Sequence, residues 1–189
     1  MVYLLKEWQG IVRAMDDEIL DLVNERDEVI GQIARGDFQK VFDNPPGNIR
    51  TSCAFIRNSR GQLWIPRRTA DKKIAPNGLD YSVAEHIPTG ESYDEAIIRG
   101  FQEELNIEID PAKLRLLEVI TPEATFPIFR ALYAYESDDT PENYNRADFT
   151  EYMWVTPQEA IAQIEKGELA KRDLLSGLRL FASRIDGDQ

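Results

Sequence analysis

Apolar residues alternate with polar ones in several short stretches of the chain and recur every three to four residues in others. Alternation over four to eight residues predicts a β-strand, whereas recurrence at three and four predicts an amphipathic helix. Strands are predicted in this way at 19–23, 28–35, 51–57, 62–68, 114–120, 128–135 and 152–155. Helices are predicted at 157–166 and 168–183, with Thr156 as N-cap and Pro157 at the first helical position of the former. Strands with segregated helices favour an α+β sandwich.

The N-terminal residues have a helical pattern of their own. Their apolar positions, spaced by three and four, are Leu4, Leu5, Trp8, Ile11, Val12 and Met15. This spacing predicts an amphipathic helix, which we expect to pack on the domain and cover apolar surface. The alternative is a dimerisation helix, which would make the protein a homodimer.

A break at residues 44–48, with the sequence Asn-Pro-Pro-Gly-Asn, follows the first two predicted strands. Adjacent prolines exclude helix and disrupt sheet pairing. We therefore divide the chain into an N-terminal helical extension at 1–17 and one domain at 18–189, in which residues 18–48 form a hairpin and linker.

The stretch from 84 to 107, AEHIPTGESYDEAIIRGFQEELNI, holds the densest candidate chemistry. Residues before Ser92 are interpreted as a loop, and Ser92 with Glu95 has the spacing of a capping box, which predicts that a helix begins there. Glu103 and Glu104 lie off the apolar stripe of this helix. Clustered carboxylates repel one another and are most useful around a divalent cation such as Mg²⁺, which takes oxygen ligands and commonly accompanies phosphates.

This stretch resembles the Nudix box, the signature of the Nudix hydrolases. Glu91 matches the first Glu of the pattern, Arg99 follows after the required seven residues, and Glu103 and Glu104 match the Glu-Glu pair. The resemblance implies that Glu103 and Glu104 bind Mg²⁺ or Mn²⁺ and take part in catalysis. It also implies that Arg99 pairs with Glu91 in a structural role.

Three positions depart from the pattern: Glu85 and Asn106 stand where the first and last Gly are expected, and Gly100 replaces the Glu after the Arg. Asn tolerates the left-handed conformation that ends a helix. The Glu missing at 100 is a main metal ligand in the family. We hypothesise that Glu85 partly replaces it, because the backbone before the box approaches the metal in the family. The alternative is a decayed site in which Glu85 points to solvent.

The resemblance covers most of the chain after about Asp17 and extends to the branch related to isopentenyl diphosphate isomerase. The stretches that carry it are 18–36, 49–68, 76–83 and 151–156. It implies a Nudix-type α/β/α sandwich with a mixed β-sheet. The isomerase itself is disfavoured, because that enzyme needs a Cys just before the box and several His ligands. Here residues 80–83 are Asp-Tyr-Ser-Val, and His86 is the one His of the chain.

Further candidates lie outside the box. Glu151, just before a late strand, is a candidate extra ligand or general base, of a kind that Nudix enzymes often recruit. Arg67 and Arg68 end a strand, and one of them is expected to hold substrate phosphate through paired hydrogen bonds, while strand alternation sends the other away. Lys72 and Lys73 offer the same chemistry from a loop.

Composition restricts the partners. The 189 residues include 22 Lys and Arg against 34 Asp and Glu, a net charge of −12, which disfavours nucleic acid polymers and anionic membranes. A single Cys cannot form an internal disulfide and suits a reducing cytoplasm. No stretch approaches the roughly 20 apolar residues of a membrane span. We therefore expect a cytoplasmic protein that binds a small molecule.

The sequence thus predicts metal-dependent hydrolysis of a diphosphate bond in a nucleoside-diphosphate-type compound, with Mg²⁺ or Mn²⁺ as cofactor. The alternative is a catalytically impaired Nudix-fold protein that binds a nucleotide or a partner, because Gly100 removes one carboxylate. A structural or regulatory protein that assembles through its N-terminal helix is a third class.

Overall fold

The computed structural model describes residues 18–43 and 46–186. Eight strands lie in these residues: β1 Ile19–Val23, β2 Val29–Ala34, β3 Ile49–Arg57, β4 Leu63–Arg68, β5 Val83–His86, β6 Leu114–Ile120, β7 Ile128–Glu136 and β8 Phe149–Val155. The α-helices of the same residues are α1 Lys40–Asp43, α2 Tyr93–Leu105, α3 Pro157–Glu165 and α4 Leu174–Asp186. The helix predicted over residues 1–17 lies outside the described residues. In the part of the chain that the structure describes, no helix is both long and apolar enough to cross a membrane.

The strands form a two-stranded hairpin, β1–β2, and a six-stranded sheet in the order β6-β7-β3-β4-β8, with β5 paired to β3. The β3–β7 pair is parallel and the other pairs are antiparallel. The mixed sheet predicted from the sequence is therefore confirmed.

Helices cover both faces of this sheet. Successive side chains of a strand point to opposite faces, so Phe55 and Ile56 of β3 belong to different cores. Phe55 packs on α4, where its ring centre lies 5.1 Å from that of Phe181. Ile56 is buried in the cluster that contains Phe101 of α2. The result is the expected α/β/α arrangement.

Strand β5 is a correction to the sequence analysis, which interpreted residues 84–91 as a loop. Its four residues pair with β3 from Thr51↔His86 to Ala54↔Val83. Strand β4 pairs with β3 only at Arg57↔Leu63, so the two strands diverge and leave room for β5 between them. A strand of four residues is too short for its alternation to be distinguished from a loop.

The start of α4 is a second correction, because a helix was predicted from residue 168 and the structure begins it at Leu174. Residues 169–171 pair with the segment before β5, and residues 172–173 form a turn. Leu79 N donates to Leu169 O and Lys171 N donates to Leu79 O, both at 2.8 Å. These backbone groups cannot also make helical hydrogen bonds.

The β1–β2 hairpin docks on the segment that leads into α2. The Asp27 carboxylate accepts hydrogen bonds from Tyr93 Oη at 3.0 Å and from Arg50 Nε at 2.6 Å. Thr89 N donates to Ile19 O at 2.8 Å. The hairpin therefore fixes the loop before α2 from outside the main sheet.

The packing of α4 on the sheet predicts the effect of a small substitution. A β-carbon on Gly177 would lie 2.3 Å from Tyr81 Oη, and that buried hydroxyl donates to Asp173 O at 2.9 Å. Overpacking of this kind costs about 1–3 kcal/mol, which exceeds the helix propensity that Ala adds. We expect Gly177→Ala to lower the free energy of unfolding in urea. The exposed substitution Ser183→Ala on the same helix is the control, with an expected change within about 0.5 kcal/mol. Equal stability of Gly177→Ala and the parent would contradict this packing.

Candidate active site

Arg99 of α2 is the centre of the candidate site. Its Nε and Nη2 donate to the two carboxylate oxygens of Glu91, each at 3.0 Å. Nη2 also donates to His86 O at 3.1 Å, and Nη1 donates to Glu103 at 3.0 Å and to Glu85 at 3.4 Å. One guanidinium therefore joins β5, the following loop and the helix. Burial opposes its charge, but these carboxylates outweigh that effect and raise the pKa of Arg99.

The ends of α2 are fixed by its own sequence. Ser92 Oγ accepts a hydrogen bond from Glu95 N, and the Glu95 carboxylate accepts one from Ser92 N, so the predicted capping box is confirmed. Asn106 ends the helix in the left-handed conformation, with φ of 55°. Glu103 and Glu104 consequently lie in the last turn of α2.

Glu85 occupies the space that a side chain at position 100 would need. A β-carbon on Gly100 would lie 2.6 Å from Glu85 Cγ and 2.6 Å from Val83 Cγ1. Glu85 is 6% exposed, so the expectation, within the decayed-site alternative, that it points to solvent is wrong. The carboxylate of Glu85 in β5 thus lies beside position 100 of α2, where the Nudix-box pattern expects a Glu.

Glu104 reaches from α2 to β5, where its Oε2 accepts a hydrogen bond from Ala84 N at 3.3 Å. Burial, and then the carboxylates of Glu85, Asp148 and Asp80, raise the pKa of Glu104 well above its usual value. The free energy of ionising such a group is unfavourable until a cation is close. Glu104 therefore contacts β5 and has a raised pKa. Its sequence position off the apolar stripe indicated neither property.

Burial also raises the pKa of Glu85 to about 7, although the positive charges of Arg99 and Arg35 oppose the shift. Arg35 is the first residue after β2 and pairs with Glu18 at 2.7 Å. The hairpin thus contributes a cation to the electrostatics of the site. Sequence analysis did not identify Arg35, because no motif connects it to the box.

Lys171, in the segment before α4, is a further cation near the site. The Lys171 ammonium lies 3.5 Å from Asp80 Oδ1. Burial first, and then the charges of Arg35, Lys171 and Arg99, lower the pKa of His86 to about 3, so His86 is neutral at neutral pH. Sequence analysis missed Lys171 because it placed this residue in a helix.

The predicted phosphate ligand Arg67 and the predicted base Glu151 bind each other. They are neighbours across β4 and β8, and Arg67 Nε donates to Glu151 Oε1 at 2.8 Å. Arg67 Nη1 donates to Glu168 at 2.8 Å. The carboxylates of Glu151 and Glu168 therefore bind the Arg67 guanidinium, which was expected to bind substrate phosphate.

The neighbouring cations have partners as well. Arg68 donates to Asp80 and to Ile74 O, and the Lys72 ammonium forms an ion pair with Asp148. Asp80 and Asp148 both act on the pKa of Glu104. Arg68 and Lys72 therefore lie on the side of the site where Glu104 is found.

Within the residues that the structure describes, no three His, Cys, Asp or Glu side chains converge closely enough to hold a metal ion as they stand. Arg99 and Ala84 N occupy oxygens of Glu85, Glu103 and Glu104. The chemistry of this donor set nevertheless fits a hard divalent cation. All three groups are carboxylates, and a nearby cation would offset the burial and the charge repulsion that raise the pKa values of Glu85 and Glu104.

A model of the NUDIX domain matches residues 47–178. The chain is a member of the Nudix family. It is 45% identical over 166 residues to a Nudix hydrolase of Deinococcus radiodurans, an alignment that covers 87% of this chain and 94% of that protein. It is 40% identical over 167 residues to an uncharacterised Nudix hydrolase of Nostoc, covering 88% and 96%. Membership implies hydrolysis of a pyrophosphate bond.

The Nudix fold is also found in a solved structure similar to this one. The crystal structure of DR0079 from D. radiodurans matches with a TM-score of 0.75 and 44% identity, covering 86% of this chain and 98% of that one. A weaker similarity joins the chain to the isopentenyl-diphosphate Delta-isomerase of Kocuria rhizophila, with 28% identity over 134 residues, 66% of this chain and 71% of that one. The predicted Nudix resemblance is thereby confirmed, and the isomerase is only a distant relative.

The pKa of Glu85 predicts a pH dependence of stability. Its value in the folded protein is about 7, against 4.5 ordinarily, so the folded protein retains a proton that the unfolded chain has lost. The resulting stabilisation is complete below about pH 4.5 and is lost as the pH rises through about 7. We expect this group to remove up to about 3 kcal/mol of unfolding free energy over that range.

The measurement is urea unfolding with chelator at pH 5, 6, 7 and 8. Glu85→Gln cannot titrate and should show a shallower fall in stability than the parent protein. The exposed substitution Glu108→Gln is the matched control and should parallel the parent. The same slope in Glu85→Gln and the parent would refute the assignment.

Proposed function

We propose that this protein hydrolyses a diphosphate bond in a small nucleoside-diphosphate-type compound with Mg²⁺ or Mn²⁺. The observation that carries the proposal is the position of Glu85, whose side chain fills the space beside Gly100. Three carboxylates are then available at one end of α2 and the adjacent strand: Glu85, Glu103 and Glu104. The change at position 100 moves a carboxylate rather than removing it.

Glu85, Glu103 and Glu104 would hold the metal ion, which supplies charge neutralisation at the diphosphate oxygens and acidifies bound water when present. Arg99 positions two of these carboxylates, since it donates to both Glu85 and Glu103. Glu91 keeps Arg99 in place through two hydrogen bonds. The role of Glu91 and Arg99 is therefore to orient the ligands.

Arg67 and Glu151 act together, Arg67 as a phosphate ligand and Glu151 as the proton acceptor. Arg67 presents a guanidinium suited to a phosphate, and the Glu151 side chain is 63% exposed, so it can leave the ion pair at little cost in free energy. A substrate phosphate that takes its place on Arg67 would free the Glu151 carboxylate. Glu151 could then accept the proton of the attacking water.

A binding protein without turnover is the second candidate. It is favoured by the absence, among the described residues, of a ready-formed group of metal ligands. In that case the ion pairs of Arg99 would be the functional arrangement and the site would bind a nucleotide without cleaving it. A measurement of turnover separates the two candidates.

We expect phosphate release from at least one nucleoside diphosphate compound, dependent on Mg²⁺ or Mn²⁺ and abolished by chelator. Glu104→Gln should lower kcat by on the order of 100-fold, because it removes a charged metal ligand. Glu108→Gln, which lies outside the cluster, should retain activity. Absence of release by the folded parent protein with every compound and metal would favour the binding protein.

Whether a carboxylate at position 85 replaces one at position 100 can be tested directly in a Val83→Ala background. This background removes Val83 Cγ1, the other atom that lies 2.6 Å from a β-carbon at position 100. Glu85→Gly should lose activity for lack of a carboxylate. Gly100→Glu should lose it because two side chains compete for one space. The double variant Glu85→Gly/Gly100→Glu returns one carboxylate to that space and should be more active than either single variant.

Thermal unfolding of all four proteins, including the Val83→Ala parent, controls for loss of fold. If the double variant is folded but no more active than Glu85→Gly, the two positions do not supply the same ligand.

A further inference from the structure

Lys171 has a position that is fixed by the sheet, although it lies in the connection between α3 and α4. Its backbone N donates to Leu79 O, and Leu79 N donates to Leu169 O, both at 2.8 Å. Leu79 also forms a bridge with Arg67 of β4. The segment at 169–171 therefore continues the sheet, and the backbone of Lys171 makes a hydrogen bond of the kind that a strand residue makes.

The ammonium of Lys171 has donors to offer. It lies 3.5 Å from Asp80 Oδ1 and 5.6 Å from the centre of the Tyr81 ring. An ammonium carries three N–H donors. Among the residues that the structure describes, none accepts a hydrogen bond of normal length from it.

Asp80 does not need Lys171 to satisfy its carboxylate. Its Oδ1 accepts a hydrogen bond from Tyr81 N at 2.8 Å, and its Oδ2 accepts one from Arg68 Nη1. Lys171 therefore adds a second positive charge beside a carboxylate whose two oxygens already accept hydrogen bonds. This arrangement indicates that Lys171 serves a group outside the chain.

The surroundings of Lys171 point to an anion beside the candidate metal ligands. Its charge acts on Glu104 and on His86, the residue after Glu85. One edge of β5 pairs with β3, while Ala84 N and His86 O bind Glu104 and Arg99 of α2 instead. Lys171 thus lies beside Asp80 and Tyr81, in the segment that leads into the strand that Glu104 and Arg99 contact.

We propose that Lys171 binds a phosphate group of the substrate beside the segment that leads into β5. The inference rests on the proposed function. A diphosphate that meets a metal ion on Glu85, Glu103 and Glu104 has further oxygens directed away from that ion. Lys171 neutralises these oxygens as a point charge. In a chain with a net charge of −12, such a local cation is needed to attract a diphosphate.

The charge of Lys171 is permanent in the working pH range. Burial disfavours the charged form, but the carboxylates of Asp80 and Asp173 outweigh burial and raise the pKa of Lys171. Its role is therefore to bind rather than to transfer a proton. A substitution should change substrate affinity more than kcat.

The test compares Lys171→Gln, Lys171→Arg and the control Lys166→Gln, whose side chain is exposed at the end of α3. Calorimetry measures the binding of Mg²⁺ alone and of inorganic pyrophosphate with Mg²⁺. Lys171→Gln should weaken pyrophosphate binding by on the order of 10-fold or more. It should leave Mg²⁺ binding equal or tighter, because a cation near Glu104 has been removed.

Lys171→Arg should retain most of the pyrophosphate affinity, and Lys166→Gln should change neither affinity. Where turnover is measurable, Lys171→Gln should raise KM with kcat changed by less than about threefold, as expected for a binding interaction. Unchanged pyrophosphate affinity in Lys171→Gln would overturn the proposal. So would a parallel loss of Mg²⁺ affinity and thermal stability, which would assign Lys171 a structural role.

The calorimetric result does not depend on turnover. A protein that binds pyrophosphate through Lys171 without releasing phosphate from any compound would support Lys171 and refute the hydrolase. If the parent protein releases phosphate but Lys171→Gln has unchanged pyrophosphate affinity, the hydrolase is supported and the role of Lys171 is refuted. A parent protein that binds no pyrophosphate overturns the role of Lys171, and the release assay still decides the proposed function.

Discussion

The hydrogen bonds of one guanidinium, that of Arg99, hold the candidate site together. Arg99 binds Glu91 with two donors, reaches Glu85 and Glu103 with a third, and donates to the backbone of β5. A planar fork of donors can join several carboxylates in a way that a point charge cannot. Without it, carboxylates packed this closely would repel one another or remain protonated. The loop, the strand and the helix keep their relative positions because one cation satisfies all three.

The relation between Glu85 and Gly100 follows from how β5 packs on α2. A strand and a helix in contact direct side chains into a common space, so a carboxylate can enter that space from either element. Glu85 fills it from the strand, and only a residue without a β-carbon fits at position 100 of the helix. The buried carboxylate has an unfavourable charge in the protein alone, as its raised pKa shows. The position of a carboxylate in space therefore need not follow its order along the chain.

The cations around this cluster come from distant parts of the chain. Arg35 lies in the hairpin before the residues that match the NUDIX domain, Arg99 lies in α2, and Lys171 lies just before α4. Burial first, and then the charges of these three residues, lower the pKa of His86 and keep it neutral. The hairpin is thus part of the electrostatic environment of the site as well as a support for the loop before α2.

Local spacing in the sequence determined the elements that depend on local interactions. The bounds of β1 and β6, the capping box of α2, the left-handed Asn106 and the pairing of Arg99 with Glu91 could all be predicted, because each involves alternation, helical spacing or a motif of fixed length. The family could be predicted for the same reason. Only the tertiary structure decided that residues 83–86 form a strand, that α4 begins at Leu174, that Glu85 is buried beside Gly100, and that Lys171 lies beside Asp80. These features arise from pairing between segments far apart in the chain, which leaves no periodic signal in either segment alone.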